Sequence, residues 1–336
     1  MLDPVLYDDW HPVAASGQIQ AGQILAAQLM GQEIALWRSA DGVIYAWEDR
    51  CPHRGTRLSI GSIVADQLVC AYHGWRFNSG GSCTHVPAQP EWTPAKSACA
   101  KVYSAVERYG LVWVCLGVPA AALLPFPEYD DPNLRKVLCG PYRVETSAPR
   151  IVENFLDMGH FSFVHDGILG EPTHTAVRDY KVDAWVDETD EAGILATQCI
   201  FWQPQTNSLA HGGSEVEYTY RVVRPLTAIL TKLPQMQQTF REAISLHVQP
   251  LDEASSQVWI VLAMTNFEQS EQELRDFQDR IFLQDKPILE NQLPRRLPLA
   301  ANREVSIAAD KLSVFYRRYL TQKNLRYGVI TAEQHA

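Results

Sequence analysis

The 336-residue chain has no run of about 20 uncharged apolar residues, the length a membrane-spanning helix needs. Its most membrane-like stretch, residues 111–127, carries no charge but is broken by Pro119, Pro125 and Pro127. It reads instead as a buried strand, Leu111-Val112-Trp113-Val114, followed by a linker. Basic charge is also scarce: 29 Lys and Arg against 39 Asp and Glu leave a formal charge of −10, which disfavours a nucleic-acid partner. The opening Met1-Leu2-Asp3-Pro4 lacks the basic start and apolar run of a secretory signal. Seven cysteines, an odd number, argue against a disulfide framework and for a reducing, cytoplasmic setting. There is no internal repeat and no low-complexity tract. Apolar residues at 46% and charged residues at 20% provide for a large core, and the length suggests two domains.

Residues 1 to about 117 read as short strands separated by tight turns. Ile34–Trp37 and Val43–Trp47 flank Ser39-Ala40-Asp41-Gly42, a hairpin signal. Residues 119–132 form a proline-rich connector. Beyond it, Asn154 to Phe163 reads as helical, followed by strands at Tyr180–Val186, Ile194–Trp202, Val216–Val223, Ala243–Val248 and Val258–Thr265. Ser270 and Glu273 have capping-box spacing, with Leu274, Phe277, Ile281 and Ile288 as the apolar stripe of a helix. A last helix covers Asp310 to Leu320. Strands followed by helices imply an α+β second domain with an antiparallel sheet.

Two constellations carry chemistry. The first reads Cys51-Pro52-His53-Arg54-Gly55, then Cys70-Ala71-Tyr72-His73-Gly74-Trp75. Each loop offers one thiolate and one imidazole. Such a set suits a tetrahedral zinc ion or a two-iron cluster with thiolates on one iron and imidazoles on the other. Gly55 and Gly74 permit close backbone approach, which favours the cluster. In the second, Asn154, Asp157 and His160 share a face of an ideal helix, and His165 lies about 140° away from His160 at 3.6 residues per turn. Both rings reach one metal only if the helix ends or distorts between them. Two histidines and one carboxylate on a common face would leave the other face of an iron open. Asp285, on the apolar stripe of its helix, is the candidate carboxylate, since a charge there is costly unless paired or bound to metal.

The first pattern resembles the Rieske signature of ring-hydroxylating and demethylating oxygenases. Neither loop has the extra cysteine of the respiratory-complex version. Asn154 to His165 resembles the iron motif of the same family, Asn-x-x-Asp-x-x-His-x-x-x-x-His. Residues 284–292 resemble its distant carboxylate motif, with Gln284 where the family usually has Glu. The resemblance spans residues 7 to about 328. Within the family, residues 310–319 are similar to the tail of purine-alkaloid N-demethylases and saxitoxin-type hydroxylases. Vanillate and dicamba O-demethylases share the two iron motifs.

The resemblance implies a Rieske domain over residues 1–118 and a helix-grip (START-like) catalytic domain over 119–336. Cys51, His53, Cys70 and His73 would hold a 2Fe-2S cluster, and His160, His165 and Asp285 a mononuclear Fe(II). Asp157 would bridge His160 to His73 of the next chain in a head-to-tail homotrimer, with Asn154 beside the iron. NAD(P)H would supply electrons through a separate reductase or ferredoxin, and O2 would oxidise a small-molecule substrate. Apart from the resemblance, Arg50, Arg54, Arg57 and Arg76 around the first ligand set read either as a docking patch for an acidic donor or as ordinary loop arginines partly bonded to the catalytic domain. Two other classes compete: an iron–sulfur electron carrier or redox sensor, which leaves some 200 residues unexplained, and a zinc-stabilised binding module. Iron content separates them.

Overall fold

The computed structural model describes residues 3–210, 212–236, 239–300 and 302–331. The chain divides into two units, Met1–Ala120 and Ala121–Ala336.

The first unit opens with a helical turn, α1 (Pro4–Tyr7), capped by the Asp3 carboxylate, which accepts from the Val5 N–H. A six-stranded antiparallel sheet follows, built from β1 (His11–Ala15), β2 (Ile24–Leu29), β3 (Gln32–Arg38), β4 (Ile44–Glu48), β9 (Val102–Arg108) and β10 (Leu111–Cys115) in the order β1-β10-β9-β4-β3-β2. The expected hairpin is present, with Arg38 opposite Ile44. Every residue of β10 is buried, as its uncharged sequence suggests. Between β4 and β9 the chain forms a four-stranded meander of β5 (Ser62–Val64), β6 (Gln67–Val69), β7 (Arg76–Phe77) and β8 (Cys83–His85). Trp37, Trp47, Leu58, Leu68 and Phe77 form one buried cluster with Cys51 and Cys70. The two cysteine loops are therefore anchored by their own sulfur-bearing residues.

The second unit is α+β. After α2 (Pro127–Asp130), its sheet comprises β11 (Arg135–Val144), β12 (Lys181–Val186), β13 (Ala192–Gln203), β14 (Ser214–Arg224), β15 (Thr227–Pro234), β16 (Glu242–Pro250) and β17 (Ser256–Met264). Their order is β11-β17-β16-β15-β14-β13-β12, with every pair antiparallel. Strands β11 and β15 escape the sequence reading. In β11 a register shift between Cys139 and Tyr142 disrupts the alternation. Most of β15 is buried on both faces, which removes the period-2 pattern.

Four helices complete the unit: α3 (Ala148–Leu156), α4 (Phe161–Val164), α5 (Glu271–Asn291) and α6 (Lys311–Gln322). The capping box at α5 is real: the Ser270 N–H donates to Glu273 Oε2 at 2.7 Å, and the Glu273 N–H to Ser270 Oγ at 3.2 Å. Its buried stripe, however, is Leu274, Gln278, Phe282, Asp285 and Leu289. That is one residue out of phase with the expected Phe277, Ile281 and Ile288, and Ile288 is exposed. Polar Gln278 and Asp285 face inward, and this displaces the pattern that hydrophobicity alone predicts. Helix α5 packs on β11, where Tyr142 stacks on Phe282 with ring centroids 4.3 Å apart; α3 packs on β15, β16 and α5. Arg317 of α6 clamps Glu153 of α3 with two hydrogen bonds, 2.5 and 2.9 Å. Among the described residues no helix is long and apolar enough to cross a membrane.

Candidate active site

The two cysteine loops have the same backbone. The Gly55 N–H donates to the Cys51 carbonyl at 2.9 Å, and the Gly74 N–H to the Cys70 carbonyl at 3.0 Å. The Cys51 N–H donates to Thr56 O, and the Cys70 N–H to Trp75 O, each five residues on. Gly55 and Gly74 both close their loops at positive φ, +73° and +69°, a conformation L side chains rarely adopt. Cys51 and Cys70 are buried and adjacent; burial and the neighbouring Cys70 thiol push the Cys51 thiol up to about 11. The His53 and His73 rings lie 4.6 Å apart, with His53 stacked on Trp75 at 4.4 Å. All seven cysteines are unbridged.

Sulfur thus sits with sulfur and imidazole with imidazole. Donors on a single zinc ion lie within about 4 Å of one another. Among the described residues, the one group of three or more His, Cys, Asp or Glu donors within 4.8 Å is elsewhere, at His160, His165 and Asp285. The four loop ligands therefore do not converge on one point, as a lone zinc requires, and their paired arrangement fits a two-metal cluster. His53 Nδ1 is buried without a hydrogen-bond partner, as a nitrogen reserved for a metal would be. Of the nearby arginines, Arg57 is ion-paired with Glu33, both largely exposed.

In the second unit the expected helix over 154–163 is interrupted. Helix α3 ends at Leu156, and Asp157 is extended, at φ −86° and ψ 130°. Its carboxylate accepts the Gly159 N–H at 2.8 Å, a local turn that competes with helix continuation. Asn154, Asp157 and His160 therefore do not share a helical face. The chain restarts as the single turn α4, with His160 and His165 as its two caps. This brings residues five apart together: their Nε2 atoms are 3.2 Å apart. Asp285 Oδ1 lies 3.4 Å from His160 Nε2 and 3.2 Å from His165 Nε2. Three donor atoms from α4 and α5 form a near-equilateral face.

The opposite ring nitrogens are also engaged. His160 Nδ1 meets Asp157 Oδ2 at 3.1 Å, and His165 Nδ1 meets Gln284 Oε1 at 3.0 Å. Both partners accept, so each imidazole keeps a proton on Nδ1, which leaves Nε2 as the atom that can bind a metal. Burial acts to raise the Asp285 carboxyl, but the facing imidazoles hold it down to about 2. Burial acts to lower His160, and the Asp157 and Asp285 carboxylates outweigh it, raising the ring to about 9. Two nitrogens and one oxygen on one face suit non-heme iron(II). Asn154 Nδ2 approaches Asp285 Oδ1 at 3.4 Å.

The triad opens into a cavity walled by Ile151, Phe155, Leu230, Ile244, Leu246 and Ile260. The sheet side of the cavity comes from β14 to β17. Sequence reasoning missed the role of Gln284, noted only as a departure from a family residue. It also missed Lys232 and Glu242, two charged residues in the cavity wall. Their signal is charge inside otherwise apolar strands.

Residues 9–107 match the Rieske [2Fe-2S] domain, and residues 144–325 the vanillate O-demethylase oxygenase C-terminal domain. The chain is 34% identical over 323 residues to a probable methylxanthine N7-demethylase of Pseudomonas sp. (strain TJI-51), covering 96% of this chain and 95% of that one. The solved structure of NdmA from Pseudomonas putida CBB5 with caffeine superposes with a TM-score of 0.81 at 27% identity, over 95% and 92% of the two chains. A stretch of 128 residues, 38% of this chain, is 39% identical to a fifth (21%) of the oxidoreductase NdmD of Pseudomonas putida. The chain belongs to the Rieske oxygenases of the demethylating branch: terminal oxygenases that take electrons from a separate reductase to hydroxylate or oxidatively demethylate a small molecule.

Proposed function

We propose that this chain removes a methyl group from nitrogen on a small heterocyclic molecule, with His160, His165 and Asp285 as the ligands of a mononuclear Fe(II). The supporting observation is the convergence of His160 Nε2, His165 Nε2 and Asp285 Oδ1 at the end of an apolar cavity. Cys51, His53, Cys70 and His73 hold the 2Fe-2S cluster in a Rieske domain of residues 1–118, and residues 119–336 are the catalytic domain. When bound, the two metal centres supply electron transfer and dioxygen activation for oxidation of a C–H bond.

The protein's own residues position and protect that chemistry. Asp157 and Gln284 keep protons on the Nδ1 atoms of the two histidines, so both Nε2 atoms stay available. The apolar walls exclude water from the oxidising site. Oxidation of a carbon next to nitrogen gives a product that loses formaldehyde. The assembly is a homotrimer in the cytoplasm, in which Asp157 links His160 to His73 of a neighbouring chain. An NAD(P)H-dependent reductase, or a ferredoxin, feeds the cluster.

Two measurements test this. Purified protein should hold three irons per chain with acid-labile sulfide; two irons would leave an electron carrier. A panel of N-methylated and O-methylated heterocycles and arenes, supplied with a surrogate reductase, should yield formaldehyde in step with an N-demethylated product. Formaldehyde only from O-methyl compounds would overturn the nitrogen assignment.

A further inference from the structure

Lys232 and Glu242 stand in the wall of the cavity that holds the iron triad, among aliphatic and aromatic neighbours. They are directly opposite each other on β15 and β16, and Tyr218 of β14 is opposite Lys232, so the three form one row across the sheet. The Lys232 side chain is 4% exposed and that of Glu242 11%. Placing two charges in such surroundings is costly before their attraction is counted. Neither residue belongs to the metal triad or supports its histidines.

The pair is also incompletely satisfied. Lys232 Nζ is 3.6 Å from Glu242 Oε2, beyond hydrogen-bonding distance. Lysine offers three donors and a carboxylate about four acceptor sites. A donor and an acceptor thus stand side by side with capacity left, at the surface of a cavity built to take a ligand.

We propose that Lys232 and Glu242 select a neutral substrate whose carbonyl oxygen lies beside an N–H, as in a cyclic amide, imide or ureide. Lys232 donates to the carbonyl and Glu242 accepts from the N–H. An anionic substrate gains from Lys232 but is repelled by Glu242, and a cation meets the reverse. Only a ligand that both donates and accepts without net charge satisfies both groups. Burial lowers the Lys232 ammonium against the pull of Glu242, so the cavity disfavours an isolated charge there. The inference rests on the reading of this cavity as the substrate site.

Iron-loaded protein without reductase is titrated calorimetrically at pH 7 with phthalimide, N-methylphthalimide and phthalate. These three share a ring and differ in the recognised edge. Phthalimide should bind roughly tenfold or more tightly than either counterpart, because each counterpart leaves a buried group unpaired. Glu242→Gln keeps an acceptor but removes the repulsion, so phthalate affinity should rise on the order of tenfold. Removing one charge alone risks instability, so the fold-preserving control is Lys232→Met with Glu242→Leu, which replaces both charges by apolar groups of similar volume. The double variant should bind phthalimide and N-methylphthalimide alike, since neither then has a buried partner to lose. Equal affinities in the unaltered protein, no detectable phthalimide binding, an unchanged phthalate affinity in Glu242→Gln, or a preference for phthalimide over N-methylphthalimide that survives the double replacement would each overturn the pair's role. Iron per chain, measured on the same samples, separates the outcomes: loss of the third iron in unaltered protein counts against the iron site, while the binding order still judges the pair.

Discussion

Asp157→Asn isolates what one oxygen atom contributes. In the native protein the Asp157 carboxylate accepts two hydrogen bonds, from the Gly159 N–H at 2.8 Å and from His160 Nδ1 at 3.1 Å. Asparagine has the same shape but only one acceptor atom. If its oxygen keeps the Gly159 bond, its NH2 group faces the Nδ1–H of His160, donor against donor. The imidazole must then shift its proton to Nε2, the atom that faces Asp285 and His165, or the turn must loosen. Loss of a hydrogen bond to a charged acceptor costs about 1.5–3 kcal/mol, which is roughly a 10- to 100-fold loss of iron affinity. Saturating Fe(II) should therefore still fill the site. On the proposed role of Asp157 as the link between the imidazoles of two subunits, turnover should fall much further, by more than about a hundredfold. The assay pairs an iron titration with stopped-flow reoxidation of the pre-reduced cluster in the presence of dioxygen and substrate. If activity falls only as far as iron occupancy does, Asp157 merely orients His160 and the electron-path reasoning fails.

Asp285→Ala should reduce iron from three to two per chain and leave the visible spectrum of the cluster unchanged; a retained third iron would place the carboxylate ligand elsewhere. Gln284→Leu removes the acceptor at 3.0 Å from His165 Nδ1 and should weaken iron binding on the order of 10- to 100-fold, with Gln284→Glu restoring it; equal affinity in all three forms would refute a positioning role. In the metal-free protein burial acts to lower His160, but its two carboxylate neighbours raise it from the ordinary 6.5 to about 9. The folded form thus binds the extra proton, and this contribution to stability is full below about pH 6.5 and lost as pH rises through about 9, which denaturant melts across that window should register. For the same reason iron must displace that proton, so loading at pH 7 should release acid and its affinity should climb with pH up to about 9; proton release measured in weakly buffered titrations checks the sign.

The candidate donor sets were legible because most of each is local. Cys51-x-His53 and Cys70-x-x-His73 each lie within one tight loop, and the positive φ of Gly55 and Gly74 accounts for the glycine that follows each pair. His160 and His165 are close in sequence, and the requirement that the helix break near them could be stated from geometry alone. The position of the break could not. It depends on Asp157 capturing the Gly159 N–H, a contest between a local side-chain bond and the next helical turn that propensities do not resolve. The apolar stripe expected through Ile281 and Ile288 is one residue out of phase with the observed one through Phe282 and Leu289. Asp285 lies at the edge of the expected stripe and inside the observed one, so both place it inward.

The sequence alone determined the donor types, their local spacing and the division into a strand-rich first unit and an α+β second unit, because these follow from short-range backbone geometry and composition. Tertiary structure decided everything that depends on long-range register. It set Asp285 against two imidazoles more than a hundred residues away and gave His165 its partner in Gln284. No local pattern encodes those meetings, because they are fixed by how the strands of the sheet align and how α3 and α5 pack against it.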